Sequence, residues 1–79
     1  MDQLARQIIA DHLAIPLEEV TDRALFQNDL GADSLDLVQL TMIFEEKFDV
    51  EIGDEESAPC LTVGEALSLL RQKAEVPAR

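Results

Sequence analysis

The chain has 79 residues, with seventeen Asp and Glu against six Lys and Arg, and a net charge of −11. That charge excludes direct binding to nucleic-acid phosphates or to anionic membrane surfaces, and it favours basic protein partners drawn in by long-range attraction. A single cysteine, Cys60, excludes an internal disulfide, no Cys/His cluster offers a structural zinc, and no apolar run approaches the roughly 20 residues of a membrane span.

Residues 3–14 carry Leu4, Ile8, Ile9 and Leu13 at helical spacing, with Asp2, Gln3, Arg6, Gln7 and Asp11 left to face water. This predicts an amphipathic first helix, ended near Ala14 or Ile15 because the residue before Pro16 is pushed out of helical backbone. A long loop is expected over 16–33. Within it Leu17-Glu18-Glu19-Val20 forms a single turn, and Leu25, Phe26 and Leu30 pin the loop to the core. A loop of this length with such anchors is expected to be functional rather than disordered, and Gly31 supplies flexible backbone just before the next element.

The clearest helix is predicted over 34–48, with Ser34 as N-cap, Asp36 in the first turn and Lys47 near the end. Gly53 breaks the chain. Asp54-Glu55-Glu56 opens a short third helix that Pro59 must disturb or end. Thr62 with Glu65 forms a Thr-x-x-Glu capping box for a last helix over 63–74, whose buried stripe is Val63, Ala66, Leu67 and Leu70. Residues 75–79 form a frayed tail. No stretch alternates as a strand would, so the class is all-α. One domain spans the chain, its core drawn from Leu, Ile, Val, Ala and the three Phe. No basic stretch and apolar run follow Met1, so the expectation is a cytoplasmic monomer.

The second helix has more apolar surface than a core requires. At 100° per residue, Leu37, Leu40, Phe44 and Phe48, with Thr41 between them, form one stripe, the core face. Leu35, Val38 and Met42 form another more than a quarter turn away, surrounded by Gln39, Glu45, Glu46 and Asp49. Burying the interleaved carboxylates would be costly, so the second stripe is expected to be an exposed docking strip with a charged rim. Met42, soft and flexible, suits several partners. The charge is concentrated in the same region: residues 29–56 hold ten acids and one base, a net of −9, and the rest of the chain only −2.

The run Asp29-Leu30-Gly31-Ala32-Asp33-Ser34-Leu35-Asp36 resembles the attachment motif of acyl carrier proteins. The likeness continues through Phe44-Glu45-Glu46-Lys47-Phe48-Asp49, Ile52 and Asp54-Glu55-Glu56 to Thr62-Val63, and with Phe26 and the first helix it covers essentially the whole chain. The resemblance implies an antiparallel four-helix bundle with a short third helix and a long first loop. It implies a non-catalytic carrier of the free-standing fatty-acid type. On it, a phosphopantetheinyl transferase moves 4′-phosphopantetheine from coenzyme A onto Ser34. The arm's thiol then holds acyl groups as thioesters for ketosynthases, reductases, dehydratases and acyltransferases. It implies docking acids at Asp33, Asp36, Glu45, Glu46 and Asp54, docking apolar contacts at Leu35, Val38 and Met42, and an acyl pocket at Phe26, Leu40, Phe44 and Leu67. On position alone Ser34 reads as a helix cap; within the motif it reads as the attachment point. An attached phosphodiester there would meet the unpaired N–H groups and positive end of the helix.

The chain departs from the family pattern at four places. Gln39 and Lys47 stand where acids are usual and are expected to reduce the negative face. Gly53 stands where proline is common, and Ala58-Pro59-Cys60 replaces a polar stretch ending in a buried Ile. A carrier for polyketide or peptide assembly and an unmodified acidic interaction domain are the alternatives. His12 lies far in sequence from Ser34 and reads as a partly exposed helix residue, and Cys60 as a small buried hydrophobe. Residues 49–60 fail the calcium-loop pattern, with glycine at its fifth position and Cys60 at its twelfth, so no dedicated metal site is expected.

Overall fold

The computed structural model describes residues 2–57 and 60–75, apart from the side chains of Asp54 and Glu75. It contains α1 (Asp2–Leu13), a 3-10 turn (Leu17–Glu19), α2 (Ser34–Phe48), α3 (Asp54–Ser57) and α4 (Val63–Glu75). The architecture is a helical bundle with a short third helix and a long loop between the first two. Among the described residues no strand forms, and Leu25 and Thr62 make an isolated antiparallel bridge. Pro59 and residues 76–79, part of the expected tail, lie outside the described residues. Glu75, expected in that tail, is still helical.

α1 stops at Leu13, one residue earlier than expected. Ala14 turns the chain in the left-handed region (φ 58) and the Ile15 N–H closes on the Ala10 carbonyl at 3.0 Å. Pro16 starts the following 3-10 turn instead of ending the helix. The buried face also differs from the expected one. Ala5, Ile9 and Ala10 are buried, whereas Leu4 is 50% exposed. Ala5 and Ala10 share the buried face of α1 with Ile9, and Leu4, 100° from Ala5, falls on its flank.

The long loop is ordered by hydrogen bonds to the start of α4. Phe26 N–H donates to the Leu61 carbonyl (3.0 Å), Val63 N–H to Ala24 (3.0 Å) and Gly64 N–H to Asp22 (2.9 Å). A Cβ at position 64 would lie 3.0 Å from the Asp22 carbonyl oxygen, so glycine permits the approach. Arg6 reaches across from α1, donating to the Val20 carbonyl at 2.8 Å and pairing with Asp22. The anchors Phe26 and Leu30 are buried and Leu25 half-buried. α1 packs on α2 and α4, and α3 on α4. Arg71–Asp2 and Lys73–Glu56 ion pairs join α4 to α1 and α3. The predicted capping box of α4 is present: Glu65 N–H donates to Thr62 Oγ1 (3.2 Å) and Thr62 N–H to Glu65 Oε1 (3.0 Å). Val63, Leu67 and Leu70 are buried and Ala66 half-buried, as the stripe predicts.

Candidate functional site

Each residue of the 29–36 run has a distinct mechanical task. Asp29 Oδ2 accepts from the Leu25 N–H at 2.8 Å, while the Leu25 carbonyl accepts from Asp29 and Leu30, closing a tight turn. Leu30 and Ala32 are buried, and Ala32 N–H donates to the Phe26 carbonyl at 2.8 Å. Between them Gly31 adopts φ 74, and a Cβ there would meet nothing within 4 Å, so the approach to the helix start is open. Asp33 then caps α2. Its Oδ1 accepts from Asp36 N–H at 2.9 Å, and Asp36 Oδ2 accepts from Asp33 N–H at 3.2 Å.

The cap is therefore Asp33, not Ser34 as the sequence suggested. Both are good capping residues, and an aspartate whose partner three residues on is also acidic closes the box in both directions. Ser34 becomes the first helical residue. It is exposed, and its hydroxyl has no hydrogen-bond partner among the described residues. The N–H groups of Ser34 and Leu35 are also among the orphan donors of the helix start.

The second stripe of α2 is exposed: Leu35 63%, Val38 54% and Met42 61%. The acids around it fall into two sets. Glu46 is exposed and its carboxylate makes no ion pair or hydrogen bond among the described residues, and Asp33 is exposed at the cap. Asp36 faces α1, where its Oδ1 lies 3.6 Å from His12 Nε2. Glu45 is half-buried and accepts from the Ile52 N–H at 2.8 Å. Asp54 opens α3, and its side chain is outside the described part. Lys47 sits eleven residues after Asp36, within about 20° of it around the helix and about 140° from Met42. It therefore flanks the α1 side and does not reduce the negative rim of the strip; Gln39, about 60° from Met42, does.

A cavity of about 370 Å³ opens beside Ser34 and runs between α2 and α4. Its lining includes Phe26, Leu40 and Phe44, three of the four residues expected at an acyl pocket, with Val38 and Met42 of the strip. Leu67, the fourth, does not line it. That side chain is 1% exposed, and it is Ala66, Leu69 and Leu70 that α4 turns toward the cavity. Ile52, Ser57 and Cys60 form another part of the wall. Their proximity to α2 depends on the path of the segment between the helices.

Cys60 is half-buried rather than buried, and its thiol donates to the Glu56 carbonyl (3.6 Å). Burial and then the Glu65 carboxylate push the thiol above its ordinary value, away from the reactive thiolate. His12 is remote from Ser34 in sequence yet lies across from Asp36, two residues beyond it; its Nε2 is buried without a hydrogen-bond partner.

The sequence matches the phosphopantetheine attachment site family over residues 3–70. It is similar to acyl carrier proteins of two strains of Caulobacter vibrioides, each 48% identical over 68 residues, covering 86% of this chain and 87% of theirs. The fold is similar to a solved structure of the acyl carrier protein from Enterococcus faecalis, with a TM-score of 0.78, 32% identity and coverage of 91% of both chains. With an all-helical fold and an exposed serine opening its second helix, the chain belongs to the acyl carrier proteins, the family defined by a phosphopantetheine attachment site.

Proposed function

We propose that Ser34 Oγ is the attachment point of the 4′-phosphopantetheine arm, and that the chain presents the acyl cargo to enzymes of fatty-acid synthesis. The observation that carries this is the division of labour at the start of α2. Asp33 takes over the capping task, so Ser34 keeps an exposed hydroxyl with no partner at the point where orphan N–H groups and the helix dipole favour a phosphate. Gly31 leaves open space for a transferase to reach it. When bound, the arm supplies a terminal thiol that holds the acyl group as a thioester.

The chain's own residues bind and orient. Leu35, Val38 and Met42 give an apolar contact whose rim, Asp33, Glu46 and Asp49, attracts basic surfaces on ketosynthases, reductases, dehydratases, acyltransferases and the phosphopantetheinyl transferase. Asp36 acts mainly as a cap and Asp54 extends the acidic region. The cavity beside Ser34 takes the acyl chain against Phe26, Leu40 and Phe44. The chain performs no chemistry itself: His12, its one imidazole, is directed at Asp36, and its one thiol is held in the protonated form. No helix among the described residues is long and apolar enough to cross a membrane, which supports a cytoplasmic carrier.

Incubation with coenzyme A and a broad-specificity phosphopantetheinyl transferase, followed by intact mass measurement, tests the assignment. The expected result is a gain of one phosphopantetheine in the wild type and none in Ser34→Ala. A wild type that stays unmodified would leave only the interaction-domain reading. A gain that survives in Ser34→Ala would move the attachment point elsewhere.

A further inference from the structure

The imidazole of His12 sits between the last turn of α1 and the first turn of α2. Its side chain is 21% exposed, and its Nε2 is buried with no hydrogen-bond partner among the described residues. A buried ring nitrogen left unbonded is costly, so an acceptor close by is drawn toward it. Asp36 Oδ1 lies 3.6 Å away, just beyond bonding distance. An ionised carboxylate can only accept, so its presence selects the ring forms that carry a hydrogen on Nε2. Neither side chain has another ion pair among the described residues.

The other oxygen of Asp36 has a separate task. Oδ2 accepts from Asp33 N–H at 3.2 Å, while Asp33 Oδ1 accepts from Asp36 N–H at 2.9 Å. This reciprocal box decides which of two adjacent capping residues begins the helix. With Asp33 as cap, the third helical residue is Asp36, and both halves of the box close. With Ser34 as cap it would be Leu37, whose side chain has nothing to offer in return. If the Asp36 carboxylate swung into water, Asp33 N–H would lose its acceptor and the preference for Asp33 would shrink. A helix beginning one residue later would turn Ser34 Oγ inward, as acceptor for the N–H of Asp36 or Leu37. In the observed register Leu37 N–H donates instead to the Asp33 carbonyl at 3.1 Å, and Ser34 is exposed.

We propose that His12 is a positioning residue for modification of Ser34. It donates from Nε2 to Asp36 Oδ1, which holds the carboxylate over the Asp33 N–H, keeps the cap on Asp33 and leaves the Ser34 hydroxyl free to be modified. The first helix thereby sets the register of the second. The inference rests on Ser34 being the attachment point.

The test compares wild type, His12→Leu, which has no donor, and His12→Gln, whose amide N–H₂ can still donate to Asp36. In the unmodified chain, hydrogen exchange at the Asp33 amide is expected to accelerate roughly fivefold in His12→Leu, the factor that loss of one hydrogen bond implies, and to return toward wild type in His12→Gln. With coenzyme A and a broad-specificity phosphopantetheinyl transferase, kcat for loading is expected to fall roughly threefold in His12→Leu with KM nearly unchanged, because the exposed strip is untouched, and to recover in His12→Gln. In an Asp36→Ala background, His12→Leu is expected to add nothing further. His12→Ala replaces the leucine variant if that one loses its helical circular dichroism. Unchanged Asp33 exchange in His12→Leu overturns the hold on the box; faster exchange with unchanged loading overturns the positioning role. Failure of His12→Gln to restore both overturns the hydrogen bond, and a leucine effect undiminished in Asp36→Ala overturns action through Asp36. A wild type that accepts no phosphopantetheine fails the Ser34 assignment instead, and the amide measurement on the unmodified chain still decides whether His12 holds the box.

Discussion

Ser34 and Asp33 are adjacent, both suited to capping, and their roles are separated by one position in the helix. Asp33 satisfies the Asp36 N–H and is in turn held by Asp36, so α2 begins without drawing on the serine. Asp33→Ala is expected to lower stability by about 1 kcal/mol, the usual cost of losing an N-cap. Ser34→Ala, which removes a hydroxyl with no partner, is expected to stay within about 0.5 kcal/mol of wild type, as at an ordinary surface site. Urea unfolding curves of the two variants check this, and the reverse order would return the cap to Ser34. The same reasoning separates Cys60 from the chemistry: burial, and then the Glu65 carboxylate, push its thiol above the ordinary value.

At the scale of elements, α2 presents two apolar faces for two purposes. Leu40 and Phe44 are buried, Phe44 lying 6.0 Å from Phe48 between ring centroids, while Leu35, Val38 and Met42 stay in water. Exposed large side chains in an acidic rim are poorly suited to burial within the same domain and well suited to a transient interface. Met42→Ala and Glu46→Lys are expected to leave the helical circular dichroism and the melting temperature nearly unchanged, because neither side chain is buried. Each is expected to lower kcat/KM for partner turnover roughly tenfold, a typical cost for a contact near the centre of an interface. Unfolding of both variants would mean that the strip is core. α4 shows the opposite economy of surface: it is capped by Thr62 and Glu65, buries Val63, Leu67 and Leu70, and clips the long loop through Val63 and Gly64. That clip holds Phe26, and through it Ala32, in register with the start of α2.

At the scale of the molecule, the excess negative charge is unevenly compensated. Arg6, Arg71 and Lys73 pair with Asp22, Asp2 and Glu56, tying elements together, while Asp33, Glu46 and Asp49 have no ion pair among the described residues. Arg71 holds the Asp2 carboxyl below its ordinary value, Lys73 does the same for Glu56, and the Thr62 and Leu61 N–H groups do so for Glu65. A carboxyl lowered on folding stabilises the fold above its unfolded value and loses that contribution as pH falls through the folded one. The stability difference between wild type and Lys73→Met is therefore expected to be full near neutral pH and to shrink below the ordinary Glu value of 4.5. Urea titrations of both chains from pH 7 to pH 3 measure it; a difference that grows toward acid would contradict the pairing.

Much of the fold was legible because it is local. Apolar spacing placed the long helices, Thr62 and Glu65 declared the last cap, and the separation of Leu37–Leu40–Phe44 from Leu35–Val38–Met42 distinguished core from strip, since helical geometry relates residues a few positions apart. Leu4, judged by size, was misplaced because the packing of α1 against its neighbours selects Ala5 and Ala10. By itself the sequence determined the long helices, the concentration of negative charge and the motif around Ser34. Tertiary structure alone decided which acids remain available and where the cavity lies. Asp36 meets His12, Glu56 meets Lys73 and Glu45 meets Ile52 only after the helices and the segments between them have come to rest, because hydrogen bonds and ion pairs form over a few ångströms of space whatever the separation along the chain.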